Sequence, residues 1–198
     1  MKKVVAGVFA LVVSLGAGCV TMTPEEIATE YERQLKMSTR VYLDKKAEDV
    51  ILAADRVFRL AADDYAISYS PTGLHAQRNW QIYLIISGSC GTDNWNLTTQ
   101  KLPQGGVKVI ATHFSYTTNT PRTTTEGGDT ATMLLNLMPG TASMTTRPAI
   151  YQLFFARLDY FLGKRTAWVT CKQAEDLFID GSLAPFCLVA NDHTPDAL

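Results

Sequence analysis

The chain has 198 residues, 46% of them hydrophobic and 19% charged, with a formal net charge of −1. That length suits one ordinary domain with a real hydrophobic core rather than a disulfide-stapled miniature. A near-neutral balance without a lysine or arginine cluster excludes the electrostatic footprint of a nucleic-acid binder.

The first stretch reads as an export signal. Lys2 and Lys3 precede an uncharged run from Val4 to Val13, and Gly16, Ala17 and Gly18 lead into Cys19. The run falls short of the roughly 20 apolar residues that a spanning helix needs. Leu15-Gly16-Ala17-Gly18-Cys19 resembles the bacterial lipoprotein lipobox, with Gly16 where its tight form has a larger aliphatic residue. The resemblance implies that residues 1–18 are removed as a signal peptide and that Cys19 is the lipid-attachment site. Val20, in place of an aspartate, matches the outer-membrane sorting pattern. Cleavage would take Lys2 and Lys3 with it, leaving 16 basic against 19 acidic residues and a net charge of −3.

Residues 19–43 read as a tether and a short N-terminal helix. In Thr23-Pro24-Glu25-Glu26 the threonine can cap, proline can occupy the first helical position and Glu26 can reach back to close a capping box. Ile27, Tyr31 and Leu35 then form a narrow apolar stripe, suited to a domain edge or to a spacer. The domain proper spans residues 44–198. From Asp44 to Asp63, Ala47, Val50, Ile51, Ala54, Val57, Phe58 and Ala61 share one helical face, which predicts a core-packing helix with Asp44 as N-cap.

Four strands follow. Tyr65 to Ser70 alternates large and small residues, and Pro71-Thr72-Gly73 supplies a turn. Asn79 to Ile86 places Trp80, Ile82, Leu84 and Ile86 on one face and predicts a central strand. Ser87 to Asp93 reads as a loop, Trp95 to Leu102 as the third strand, Pro103-Gln104-Gly105-Gly106 as a hairpin turn and Val107 to Tyr116 as the fourth strand. Residues 117–147 are rich in threonine and glycine and read as a long excursion from the sheet. Pro148 opens a further helix with Ile150, Leu153, Phe154, Leu158, Phe161 and Leu162 on a broad apolar face, ended by Gly163. A short helix is expected from Gln173 to Phe178.

This order predicts an α+β fold, a two-layer domain in which a four-stranded antiparallel sheet is packed by flanking helices. The succession Ala47 to Leu60, Tyr65-Ala66-Ile67, Gly73-Leu74 leading into Trp80-Gln81-Ile82-Tyr83, and the late helix Phe155 to Gly163 resembles small lipoprotein domains of uncharacterised proteobacterial families. More distantly it is similar to the helix-grip domains of BamC-like lipoproteins in the β-barrel assembly machinery. The likeness covers about residues 44–163 and carries no functional residue with it.

With Cys19 committed to lipid, Cys90, Cys171 and Cys187 remain in a compartment that favours disulfides. Cys171 with Cys187 is the preferred pair, because their bond would pin a terminus with little core content; Cys90 with Cys171 is the alternative. Cys90 in Gly88-Ser89-Cys90-Gly91 could act as a nucleophile with His75 or His113 as its base, but no thiol-enzyme motif surrounds it. His75, His113 and His193 lack the spacing of a metal site, and His113 alternates with Val109 and Ala111 as a sheet histidine would. Asp93 reads as a turn residue, with no second carboxylate placed for acid–base work. Gly105-Gly106 and Gly127-Gly128 do not join a strand to a helix N-terminus as a phosphate loop would. Trp80, Trp95 and Trp168 read as core before they read as a groove.

No catalytic, metal or cofactor motif stands out. The resulting expectation is a non-enzymatic outer-membrane lipoprotein facing the periplasm. It would be held to the membrane through lipidated Cys19 and would act as a binding or scaffold component with an envelope protein partner. Carriage of a lipid or other apolar ligand between sheet and helix is the alternative.

Overall fold

Thr23 caps helix α1 (Pro24–Ser38) as its sequence predicts: the threonine hydroxyl accepts from the Glu26 amide at 3.2 Å, and the Glu26 carboxylate accepts from the Thr23 amide at 2.7 Å. This geometry comes from a computed structural model that describes residues 23–83, 87–121, 143–144, 147–178, 183, 186–187 and 193–195. Cys19 and the rest of the expected export signal lie outside the described residues, as do residues 84–86 and 122–142. No described helix is long and apolar enough to cross a membrane.

The stripe on α1 points away from the body. Ile27, Tyr31 and Leu35 are exposed, whereas Gln34 and Ser38 are buried and Met37 packs partly against the core. The helix is thus seated through its C-terminal half by a largely polar face. Directly after it, β1 (Thr39–Tyr42) joins the sheet and sends Tyr42 into the core, within the stretch that reads as tether and short helix.

Helix α2 (Ala47–Ala61) buries Val50, Ala54, Val57, Phe58 and Ala61, the face its spacing predicts. Its N-cap differs from the expected Asp44. The helix starts at Ala47, where the Asp49 carboxylate accepts from the Lys46 amide at 3.2 Å. Asp44 is instead drawn to Lys164, whose Nζ donates to it at 2.6 Å beyond the end of a later helix.

The sheet then unfolds as β2 (Ala66–Ser70), β3 (Gly73–Tyr83), β4 (Ser87–Lys101) and β5 (Val107–Pro121), each antiparallel to the one before. The four predicted strands are present, and two more extend the sheet. Strand β1 and the two-residue β6 (Ser143–Met144) both pair with β5, giving the order β1-β5-β4-β3-β2 with β6 beside β5. Residues 117–121 and 143–144 are therefore strand, which narrows the predicted excursion at both ends.

Strand lengths are the main correction. The strand expected from Asn79 already begins at Gly73, so the turn is reduced to Pro71 and Thr72. The loop expected over Ser87 to Asp93 is strand, because its backbone pairs on both sides, Gly91 facing Trp80 across one ladder and Thr117 across the other. A loop reading rested on its glycines and serines, yet Gly91 serves packing. A Cβ there would collide with the Trp80 ring and the Tyr116 carbonyl, so the bare strand leaves room for the indole.

Along β4 the burial alternates cleanly: Asp93, Trp95, Leu97 and Thr99 are buried, whereas Asn96, Thr98 and Gln100 are exposed. The inner face continues as Leu74, Ala76 and Arg78 of β3 and Val107, Val109, Ala111 and His113 of β5. At the β4–β5 hairpin, Gly106 has φ of 84°, and a Cβ on it would strike the backbone of Tyr42 and Leu43.

Helix α3 (Pro148–Phe161) closes the second layer. Ile150, Leu153, Phe154 and Leu158 are buried as predicted, but so are Tyr151, Phe155, Ala156 and Arg157. A helix buried this far round is held between α2 and α1, and full burial of each large apolar side chain stabilises by about 1.5–3 kcal/mol. The centre is aromatic: the Trp95 ring lies 5.0 Å from Phe154 and 5.4 Å from Phe186, with Phe58 5.5 Å from Phe154. Helix α4 (Cys171–Leu177) starts two residues before its expected position, because Thr170 and Gln173 form a capping box.

Candidate functional site

Three cross-strand rows lead from the core toward the far end of the sheet. Leu74, Leu97 and Ala111 form the first, Ala76, Trp95 and His113 the second, and Arg78, Asp93 and Ser115 the third. The chain thus turns from apolar to titratable side chains within two steps along one buried face.

Asp93 is 0% exposed and His113 1% exposed. One Asp93 oxygen, Oδ1, meets His113 Nε2, and the other, Oδ2, accepts a hydrogen bond from the Tyr65 hydroxyl. A buried carboxylate is tolerable only when paired in this way. Burial and then the Asp93 charge push the Tyr65 hydroxyl well above its ordinary range. Arg78, opposite Asp93 in the ladder, places its guanidinium 5.9 Å from the centre of the Tyr65 ring, and its Nε lies 2.8 Å from Asp64 Oδ1.

Helix α3 contributes Tyr151, whose hydroxyl accepts from the His113 backbone amide at 3.1 Å and from Gln34 Nε2 at 3.3 Å. The cluster therefore joins the residue before β2, strands β3 to β5, α3 and α1. Chemically, an aspartate on a histidine is how general bases are oriented. Here the pair is sealed: the Trp95 ring lies 4.5 Å from the imidazole, and both side chains are spent on interior partners. What the arrangement can do is fix the sheet to the helices.

A second polar anchor holds the C-terminal segment. Arg157, 0% exposed, donates from Nε to the Val169 carbonyl at 3.0 Å and lies 3.4 Å by Nη2 from Cys171 Sγ. Its guanidinium also faces the Trp168 ring at 4.7 Å and the Phe186 ring at 5.6 Å. Cys171 and Cys187 form the preferred disulfide, with Cα atoms 5.6 Å apart.

Cys90 is a free, half-buried thiol near the start of β4, opposite Gln81 and Thr118. It falls on the outer face, whereas His113 is on the inner one. His75 shares the outer face, but its β4 neighbour is Asn96, six residues from Cys90 and roughly 20 Å along the strand. The structure therefore does not bring the thiol and either of these bases together. His193 is exposed. Among the described residues, no three histidine, cysteine or acidic side chains converge as a metal site would require.

Of the tryptophans, Trp95 is core as expected, and Trp80 and Trp168 are half-buried. Reading Asp93 as a turn residue missed the cluster. The signal was the inner alternation of β4: counting back from Leu97 and Trp95 by two reaches Asp93 on the core face.

The sheet also leaves an edge. Among the described residues β2 pairs only with β3, and Ala66, Ser68, Tyr69 and Ser70 are exposed. It carries no charge and no proline, the devices that commonly blunt such an edge. Comparison with known proteins finds no match to a family model, a curated protein or a solved structure.

Proposed function

We propose that this protein is a non-enzymatic outer-membrane lipoprotein, anchored through Cys19 and facing the periplasm, that acts by binding as a scaffold component of an envelope assembly. The observation that carries the binding role is the edge of β2, which no other described strand pairs beyond β3 and whose outward backbone groups suit the addition of an extended partner segment. The burial of Asp93, His113 and Tyr65 among their own partners supports a structural rather than a catalytic use of the main titratable cluster. The anchoring role rests on Lys2, Lys3, the apolar run and Cys19 in the sequence.

Carriage of an apolar ligand between the layers draws less support. Phe58, Trp95, Phe154 and Phe186 fill that space with ring-to-ring contacts.

Co-purification from solubilised envelopes tests the binding role. The Tyr69 amide points away from β3, so Tyr69→Pro removes an outward donor while sparing the β2–β3 ladder. The variant should retain its circular dichroism spectrum and lose the proteins recovered with the wild type. Equal recovery from a folded Tyr69→Pro variant would count against the edge as the working surface.

A further inference from the structure

We infer that β2 pairs with β2 of a second copy of this chain, antiparallel and about a two-fold axis through Ser68. This rests on the binding reading above and names one occupant for its edge. The register of the β2–β3 hairpin determines which groups are available. Pro71 and Thr72 form a two-residue connection between Ser70 and Gly73, which makes that pair the hydrogen-bonded one. Ser68 and Ala66 then also bond toward β3, and Ile67 and Tyr69 turn their amides and carbonyls outward.

A two-fold axis at Ser68 sets Ile67 of each copy opposite Tyr69 of the other, so the outward groups of both strands meet. Ala66 and Ser70 fall opposite each other, and Ser68 faces itself. The cross-strand pairs are then small with small and β-branched with aromatic, both of which a sheet accommodates well. The strand is uncharged from Ala66 to Ser70, so two copies meet without repulsion and an oppositely charged partner gains nothing.

The flank of this edge is also self-complementary. Tyr69 is 56% exposed and donates to Asp55 Oδ1 at 2.7 Å, which places it beside the outer side of α2. Leu52, one turn before Asp55 on that side, is 61% exposed. Asp55 is meanwhile neutralised within its own copy by Arg59 at 2.9 Å. A pairing that extends the sheet across two copies covers Tyr69 and Leu52 of both at once, as an isologous interface does.

Cysteine cross-linking of the full chain reads this register directly. In a Cys90→Ser background, Ser68→Cys should give a disulfide-linked dimer under mild oxidation, because opposed residues of a non-hydrogen-bonded pair have Cα atoms about 4.5 Å apart. Ser70→Cys alone should not, since its two copies stand four residues out of register, roughly 14 Å along the strand and beyond the ~7 Å reach of a disulfide. Mixing Ala66→Cys with Ser70→Cys should restore the dimer. Equal cross-linking at Ser68 and Ser70, or none at Ser68 across a concentration series while its thiol reacts freely with maleimide, overturns self-pairing. The binding reading is tested separately by envelope co-purification with Tyr69→Pro, so the two can fail independently.

Discussion

Asp93 is the residue on which the interior depends most. Replacing it with alanine leaves the Tyr65 hydroxyl and His113 without their buried partner, at a cost of about 3 kcal/mol. Urea unfolding of Asp93→Ala should show that loss. A change within 0.5 kcal/mol, the ordinary range of ~0.5 for surface sites, would mean the cluster is not a structural tie. The tyrosines add a pH dependence. Burial pushes the hydroxyls of Tyr42, Tyr65 and Tyr151 upward from the usual value near 10, with Tyr42 also held by its bond to Asp159. The unfolded chain releases these protons near pH 10 and the folded one retains them. Their contribution is therefore complete below about pH 10 and declines as pH rises above it. Denaturant midpoints should fall on the alkaline side, and Tyr42→Phe should flatten part of that fall. None of these roles announced itself in the sequence, because a buried aspartate and a turn aspartate look alike until the strand around them is placed.

At the scale of elements, local signals were legible wherever one face decided the structure. The capping box of α1, the buried face of α2 and the proline start of α3 all follow from spacing alone. Strand ends did not, since pairing on both sides carries β4 through Ser87 to Asp93 despite its glycines and serines. Strand β1 was hidden for a similar reason: four residues become a strand only because β5 offers Val107 to Ile110 as partners. Gly91 illustrates how tertiary context overrides a turn-like residue, and Gly91→Val should destabilise the sheet by displacing Trp80, seen as a shift in tryptophan fluorescence. The disulfide is a second test. Replacing Cys171 and Cys187 with serine should cost roughly 3 kcal/mol by the chain-entropy relation. The loss should appear first at Phe186, which the bond helps hold against Trp95.

The whole molecule combines an interior bound by aromatic rings and a sealed polar cluster with a sheet whose β2 edge meets no further strand among the described residues. Its α+β class was legible because helix and strand periods alternate in an order that has few burial solutions. The working surface proposed for it was not, because an edge is defined by which strands lack a second neighbour. The proposed anchor at Cys19 and the proposed edge at β2 together define a tethered binding body. A photo-reactive residue at Ser68, compared with one at exposed Glu48 of α2, tests that account in intact cells. The account predicts discrete adducts from Ser68 alone, diminished when Cys19→Ser releases the chain from the membrane. Identical adduct patterns from the two positions, or adducts indifferent to Cys19, would contradict it.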